Sequence, residues 1–235
     1  MTPETKQKLQ LLFVVALLVA GTRTAIIFYE RWAPEKPSPA PPLNPDYYVV
    51  PKKLYPYDLK SARQLTEQPV WVKEGYRYTY YPYRGAHADF SHEAGLLLPL
   101  QKLEVKDVVT EATPGSPKEQ QIMAVFEQAG QSYAFPIGSV KQGNYRIYSD
   151  EMLYIQDPHQ LYKHWPQEIW QAIDQHQVKP GMSELQVDFA IGAGALEGTG
   201  TTEVRTLNYS NGGKPLRVTF REGKAAEIQP GADHG

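Results

Sequence analysis

The chain has 235 residues, with 24 Lys and Arg against 26 Asp and Glu, so its formal net charge is −2. This balance argues against a nucleic-acid partner, since binding to DNA or RNA needs a strongly basic surface. The sequence contains no cysteine, which excludes disulfides, thiol catalysis, cysteine-bound zinc and a lipid-bearing cysteine. The length has room for one or two small domains.

Residues 1–32 predict a cytoplasmic tip and a transmembrane anchor. The segment from Leu9 to Tyr29 is largely apolar, with Arg23 within it, and it matches the roughly 20 residues that a helix needs to cross a bilayer. Lys6 and Lys8 favour a cytoplasmic N-terminus, which places the rest of a single-pass protein on the extracytoplasmic side. A cleaved signal peptide is the alternative, although no A-x-A cleavage motif follows the apolar run.

Residues 33–45 predict a stem between the anchor and the first domain. Six of these residues are proline, which lacks a backbone N–H and clashes with a helical turn. A semi-rigid polyproline spacer of about 3.1 Å per residue, roughly 40 Å in all, is therefore expected. A ligand for a proline-recognition domain is the alternative.

Residues 46–160 predict a small β-rich domain. Short runs of β-branched and aromatic residues alternate with polar turns, which is typical of a small antiparallel barrel. Pro82 is expected to keep its strand at the edge of the sheet, because proline cannot donate to a ladder. Gln128, Ala129 and Gly130 predict a hairpin turn. The predicted strands are 76–83, several within 96–109, 122–126, 133–137 and 144–148.

Five tyrosines of the first of these strands form a candidate interaction surface. Exposed tyrosines suit the binding of cell-wall glycan or peptide, because their rings supply large contact areas. The alternative is a purely structural role, since tyrosine favours β structure. The five residues are Tyr76, Tyr78, Tyr80, Tyr81 and Tyr83.

Two histidine-containing stretches bear on catalysis. His87, Asp89, His92 and Glu93 lie close in sequence and are the basis of a metal-dependent hydrolase hypothesis. Their spacing is not the helical H-E-x-x-H of zinc enzymes, so a solvated loop is the preferred interpretation. The second stretch holds Asp157, His159 and His164. Because no G-x-S-x-G or P-loop motif occurs, the sequence predicts no enzyme and no catalytic, metal-binding or cofactor-binding residue.

Residues 161–235 predict a second domain that begins with a helix at about 164–177. Pro166 suits the first helical position, where its missing N–H costs nothing. Four apolar residues at helical spacing form a stripe that faces a core. They are Trp165, Ile169, Trp170 and Ile173.

A second helix and three strands complete this domain. Ser183 as the N-cap and Gln186 three residues on form a capping box. Leu185 and Phe189 form the apolar face of the helix, and Gly192 ends it. The strands follow at 203–210, 216–220 and 224–228, joined through glycine-containing turns. The inner face of the middle strand contains Val218 and Phe220.

The loop after the second helix contains G-A-G-A-L-E-G, from Gly192 to Gly198. A dinucleotide-binding loop follows a strand and opens a helix, so that the phosphate meets the helix N-terminus. Gly192 does the reverse, and the loop is therefore predicted to bind no nucleotide. Unless the loop needs a positive φ there, alanine at Gly194 or Gly198 is expected to cost at most about 1 kcal/mol each.

Residues 165–230 resemble the BamE-like (SmpA/OmlA) envelope domain family. The resemblance implies a two-layer ααβββ domain that acts as a protein-interaction module in the bacterial cell envelope. Gly194 stands where the family usually has proline, and the lipid-bearing cysteine of the namesake lipoprotein is absent. The matching residues are Gly181, Met182, Ser183, Gln186, Val187, Gly192, Tyr209 and the V-x-F-x-x-G-K stretch at 218–224.

The sequence therefore predicts an α+β protein of the bacterial cell membrane, with its domains in the periplasm or extracytoplasmic space. The expected function is that of a non-catalytic envelope scaffold or accessory subunit that binds an unidentified envelope or membrane protein. Binding of cell-wall glycan or peptide through the tyrosines is the alternative, and a metal-dependent hydrolase is the second. The lipid bilayer is an expected partner, through Leu9 to Tyr29. Binding of nucleotides or nucleic acid is not expected.

Overall fold

The computed structural model describes residues 3–32, 44–75, 78–199 and 203–231. The chain divides into two units, Met1–Asn44 and Pro45–Gly235. Residues 33–43, most of the predicted stem, lie outside the described residues, as does Tyr76. The stem therefore stays a prediction.

The first unit contains one long helix, α1 (Pro3–Trp32). Within α1, Lys6–Tyr29 is long and apolar enough to cross a membrane, with a mean hydropathy of 2.3. Thr22 and Thr24 fit an apolar helix because their hydroxyls donate to the backbone carbonyls of Leu18 (2.9 Å) and Ala20 (2.8 Å). A signal sequence has the same length and composition, so both predicted roles of this segment stay open.

The second unit is built from short helices and antiparallel strands. Its first part contains α2 (Leu59–Ala62), β1 (Val70–Val72), β2 (Tyr78–Arg84), β3 (His87–Ala88), β4 (Gly95–Leu97), β5 (Lys102–Leu103), β6 (Val105–Thr113), β7 (Ser116–Gln128), β8 (Gln131–Lys141) and β9 (Asn144–Ile147). The remainder contains α3 (Ser149–Met152), β10 (Leu153–Tyr154), α4 (Pro158–Leu161), α5 (Gln167–Asp174), α6 (Glu184–Ile191), β11 (Ala195–Leu196), β12 (Val204–Tyr209), β13 (Leu216–Arg221) and β14 (Lys224–Pro230).

In the described part of the chain, seven strands form a nearly closed β-barrel-like sheet, which confirms the predicted barrel. The order is β3-β2-β8-β7-β6, and β4 and β9 pair with β2 and β8. The β7–β8 hairpin turns at Ala129 and Gly130, whose φ angles of 50° and 75° suit a tight hairpin turn. Alternate residues fill the interior, including Ile122, Ala124 and Phe126 of β7, because successive side chains of a strand point to opposite faces.

Strand β2 is not an edge strand, which corrects the expectation from Pro82. Strand β8 pairs with one side of it, while β4 and β3 pair with the beginning and the end of the other side. Pro82 lies in the gap between these short partners, where its carbonyl accepts from the Asp89 N–H (2.9 Å). The N–H and C=O of a strand residue point to the same side of the strand. An N–H at position 82 would therefore point into the gap between β3 and β4, so that no ladder hydrogen bond is lost by having proline there.

The last part of the unit packs two helices on an antiparallel sheet. Helix α5 begins at Gln167, one residue after the predicted start at Pro166. Helix α6 has the expected capping box, with Ser183 N–H donating to Gln186 Oε1 (2.8 Å) and Gln186 N–H to Ser183 Oγ (3.3 Å). Gly192, with φ of 88°, ends the helix. The sheet has the order β11-β12-β13-β14, one strand more than predicted.

One hydrophobic core lies between these helices and the sheet. It buries six of the eight residues expected there, while Ile169 and Leu185 are half-buried against it. Tyr154 of β10 belongs to the same core, and Val49 and Trp71 pack against it. Packing is thus continuous across the predicted boundary between residues 160 and 161, which itself stays a prediction. The six buried residues are Trp165, Trp170, Ile173, Phe189, Val218 and Phe220.

Candidate functional site

The structure places four of the candidate tyrosines on β2 and divides them between its two faces. Tyr78 and Tyr80 pack against the barrel interior, and Tyr81 and Tyr83 pack against a smaller cluster on the outer wall. All four are half-buried. The period of two along a strand explains the division, and it means that the four do not share one exposed platform.

Two of the hydrolase candidates on β3 and in the loop that follows it, His87 and His92, each pair with a different acid. His87 Nδ1 lies 3.3 Å from the buried Glu111 carboxylate, whereas His92 Nδ1 lies 2.9 Å from the Asp89 carboxylate. Ser91 Oγ contacts both Asp89 and the same Nδ1 of His92. A nucleophile relay uses the two different ring nitrogens of a histidine, so this arrangement cannot act as one. Among the described residues, no group of three or more His, Asp or Glu converges as a metal site.

The second histidine stretch joins the two parts of the unit. Asp46, at the start of the unit, accepts from His164 Nε2 (2.6 Å) and Trp165 Nε1 (2.7 Å). His159 stacks on Trp170, with ring centroids 4.1 Å apart. These contacts hold the first residues of the folded unit against its C-terminal core, which indicates a structural role.

The glycine loop leads from a helix into a strand, not from a strand into a helix. Gly192 ends α6, and β11 then pairs with β12 through Ala195 and Leu196. A Cβ built on Gly194 would lie 2.6 Å from Tyr209 Cζ and 2.9 Å from Leu207 Cβ. Both neighbours are buried, so Gly194 is needed for close packing of the loop on β12.

Gly194→Ala should therefore destabilise the protein more than the sequence suggested. Overpacking against buried Tyr209 is expected to cost about 1–3 kcal/mol, so the expectation of at most about 1 kcal/mol is too low for this residue. Gly198, with φ of 67° and no atom within 4 Å of its added Cβ, is the matched control, with an expected cost of about 1 kcal/mol. Chemical denaturation of the two variants measures the difference.

ATP, NAD and NADP are expected to leave the melting temperature of either variant and of the wild type unchanged. Equal stabilities of Gly194→Ala and Gly198→Ala would contradict the packing role of Gly194. A nucleotide-dependent rise in the wild type that both variants lose would contradict the absence of nucleotide binding.

Two pairs of a buried tyrosine and a half-buried acid lie near this loop. The Tyr154 hydroxyl donates to both carboxylate oxygens of Glu74, at 3.0 and 3.2 Å, and burial raises the Tyr154 pKa. The Tyr209 hydroxyl lies close enough to the Asp188 carboxyl to interact with it. The geometry between the hydroxyl and Asp188 Oδ1 does not meet the criteria for a hydrogen bond. Both tyrosine hydroxyls stay protonated at neutral pH, because burial raises their pKa values.

Burial raises the pKa of Asp188 to about 7. The nearby charges of Glu184 and Glu74 act in the same direction, while the Tyr209 hydroxyl and the Gly194 backbone N–H partly oppose it. Asp188 therefore carries a proton for part of the time near neutral pH, which makes it the titrating group of this region.

A cleft of about 150 Å³, which Glu74 helps to line, lies between the barrel and the C-terminal layer. The backbone N–H of Ala193 donates to the Glu74 carbonyl (2.9 Å) and so fixes the end of α6 against the barrel. At the rim, Leu96 and Leu98 are 39% and 46% exposed. The lining consists of Glu74, Gly75, Leu96, Leu97, Leu98, Pro99, Ile191, Gly192, Ala193, Ser210 and Gly212.

The size of the cleft limits what it can bind. A cavity of this volume takes a benzene-sized group, whereas sites for cofactors and drug-sized ligands measure about 300–1,000 Å³. One branched aliphatic or aromatic side chain of a partner protein fits these dimensions and the apolar rim.

Sequence reasoning missed this cleft, because its lining comes from four separate segments of the chain. One signal was present in the run of Leu96, Leu97 and Leu98. A strand with a single buried face needs an apolar residue only at every second position, and Leu97 fills that role. The burial of one face of this strand therefore does not explain why Leu96 and Leu98 are apolar, and these two residues were the signal for an exposed apolar site.

Comparison with protein-family models, with curated proteins and with solved structures found no match to this chain. The resemblance of residues 165–230 to the BamE-like family consequently stays a prediction.

Proposed function

We propose that this protein is a membrane-anchored accessory subunit of the cell envelope that binds another protein through the leucine-rimmed cleft. The observation that carries the proposal is the cleft itself, which is small, apolar at its rim and partly enclosed. Binding sites between proteins concentrate their energy in a few anchor side chains that fill such pockets. The exposed Leu96 and Leu98 would surround the anchor and exclude water.

The membrane part of the proposal is supported by α1, in which Lys6–Tyr29 is long and apolar enough to span a bilayer. Lys6 and Lys8 at its beginning favour a cytoplasmic N-terminus, with the folded unit outside the cytoplasm. The BamE-like resemblance of residues 165–230 is the reason to propose a bacterial envelope, where such domains act as interaction modules.

A first prediction concerns the anchor. The mature protein should keep its N-terminus and remain with the membrane fraction after washing with high salt and carbonate, because α1 supplies a full span and no A-x-A motif follows it. N-terminal sequencing and fractionation of the native protein test this. A soluble mature protein that begins near Thr22 would show that the segment is a signal peptide.

A second prediction concerns the cleft. Leu98→Glu should abolish the capture of a partner by the full-length protein in native membranes, because a charge at the rim cannot be desolvated. Leu196→Glu is the matched control, since Leu196 is similarly exposed (51%) but lies on β11 and is not one of the residues that line the cleft. Affinity purification with quantitative mass spectrometry compares the wild type with both variants.

Photo-crosslinking identifies the contact directly. A photoreactive amino acid at Leu98 should crosslink to the same partner, and one at Leu196 should not. Loss of the partner from both variants, or from neither, would contradict docking at the cleft. Unchanged melting temperatures of both variants show that the effect on binding is not caused by unfolding.

A further inference from the structure

The first residues of the folded unit, which begin with a 3-10 turn at Pro45–Tyr48, combine side chains that pack inwards with side chains that face the solvent. Towards the protein, Val49 packs against the C-terminal core, Leu54 packs against the barrel core and Pro56 is buried. Towards the solvent, the segment presents an aromatic strip of Tyr48, Val50, Tyr55 and Tyr57, which are 64%, 83%, 69% and 78% exposed.

The exposure of this strip needs an explanation. Single exposed apolar side chains are common on protein surfaces, but here four large ones occur within the ten residues 48–57. The inward residues already fix the segment to the cores, so folding does not require apolar residues at the outward positions. Their presence therefore points to a partner outside the folded unit.

The charge of the segment indicates the chemistry of that partner. Lys52 and Lys53 lie within the strip and are exposed. Asp46 is turned inwards to His164 and Trp165, and Asp58 accepts from Ser61 at the start of α2. The solvent side thus combines tyrosine rings with lysines, the two residue types that favour the headgroup region of an anionic membrane.

The chain length keeps this strip close to a bilayer that holds α1. Residues 33–47 connect α1, which ends at Trp32, to the strip, and even a fully extended chain of this length spans only about 50 Å. Tethering on this scale gives a high effective concentration, so that a weak surface contact suffices for persistent binding.

We propose that the aromatic strip binds the surface of the membrane into which α1 inserts, with the tyrosine rings in the headgroup region and Lys52 and Lys53 against anionic lipid phosphates. This inference rests on the proposed membrane anchoring but is independent of the leucine-rimmed cleft. Membrane contact at the strip limits the rotation of the folded unit and so orients it on its tether.

The absence of cysteine permits a direct test with single labels. Full-length protein with Tyr55→Cys carries a fluorescent label and is reconstituted into nanodiscs of phosphatidylglycerol and phosphatidylcholine that contain spin-labelled lipid. Tyr145→Cys is the matched control, because Tyr145 is also an exposed tyrosine (39%) but lies on β9, outside the strip. Co-elution with the nanodisc reports the insertion of α1 separately.

We expect the spin-labelled lipid to quench the label at position 55 several-fold more than the label at position 145. Replacing Lys52 and Lys53 with glutamate, or omitting phosphatidylglycerol, should reduce the quenching at position 55. Equal quenching at the two positions in nanodiscs that contain the protein would overturn the strip proposal while leaving the anchor intact. Failure to co-elute with the nanodiscs would overturn the anchor and, with it, this inference.

Discussion

Phe220→Ala should lower the free energy of unfolding by about 3–5 kcal/mol, because it leaves a cavity in a core that cannot collapse fully. Phe220 is 1% exposed and lies on the inner face of β13, in the core shared with Phe189, Trp165 and Trp170. In a folded unit of this size, such a loss lowers the melting temperature by on the order of 10 °C. Denaturant unfolding followed by tryptophan fluorescence measures it, since two of the tryptophans lie in the same core.

Arg217→Ala on the same strand is the matched control. Arg217 lies on the opposite face of β13 and pairs with Glu197 (2.6 Å) in an exposed position. Exposed ion pairs contribute at most about 1 kcal/mol, so this variant should unfold close to the wild type. Similar losses in the two variants would mean that β13 does not present Phe220 to a common core.

The contribution of Asp188 to the stability of the protein should fall as the pH rises towards 7. Burial raises the pKa of Asp188 to about 7 in the folded protein, above the ordinary value of 3.8 that applies to the unfolded chain. Between these pH values the folded state holds a proton that the unfolded state has lost. The stabilisation is therefore fully present below about pH 4 and is lost as the pH rises through about 7, by a few kcal/mol in total.

Asp188→Asn should remove this contribution, because asparagine has no charge to bury. We expect the variant to be more stable than the wild type at pH 8 by on the order of 1–3 kcal/mol, and to differ little at pH 4. The free energy of unfolding of both proteins is measured from pH 4 to pH 8. The difference between them isolates Asp188, because all other ionisable groups are common to both proteins.

Glu222→Gln provides the comparison for Asp188→Asn, since it removes an exposed carboxylate in the turn between β13 and β14. This variant should not show the gain in stability at pH 8 that is expected for Asp188→Asn. A constant offset between wild type and Asp188→Asn over the whole range would show that Asp188 acts through packing or hydrogen bonding and not through its ionisation.

Elements that depend on local chemistry could be predicted from the sequence. The capping box of Ser183 and Gln186, the stop at Gly192 and the hairpin turn at Ala129 and Gly130 all occur at the expected residues. Each is specified by residues within a few positions of one another, through a cap or a positive φ. The apolar run of α1 is local in the same sense, because a membrane-length helix satisfies all its backbone groups internally.

Predictions that depended on neighbours in space were less successful. Pro82 suggested an edge strand, but β2 has partners on both sides, and the proline occupies a gap between two of them. Gly194 suggested a tolerant loop, but the ring of Tyr209 leaves no room for a Cβ. The sequence distance between Gly194 and Tyr209 carries no information about this contact, which exists only because β11 pairs with β12.

The sequence by itself determined the apolar N-terminal helix, the mixture of barrel-like strands and capped helices, and the helix-to-strand direction of the glycine loop, because these follow from composition, periodicity and short-range capping. Only the tertiary structure decided the faces on which the β2 tyrosines lie, the pairing of His87 with Glu111, the raised pKa of Asp188 and the leucine-rimmed cleft. Each of these depends on burial by segments far apart in the chain, and burial is a property of the packed chain and not of any local stretch.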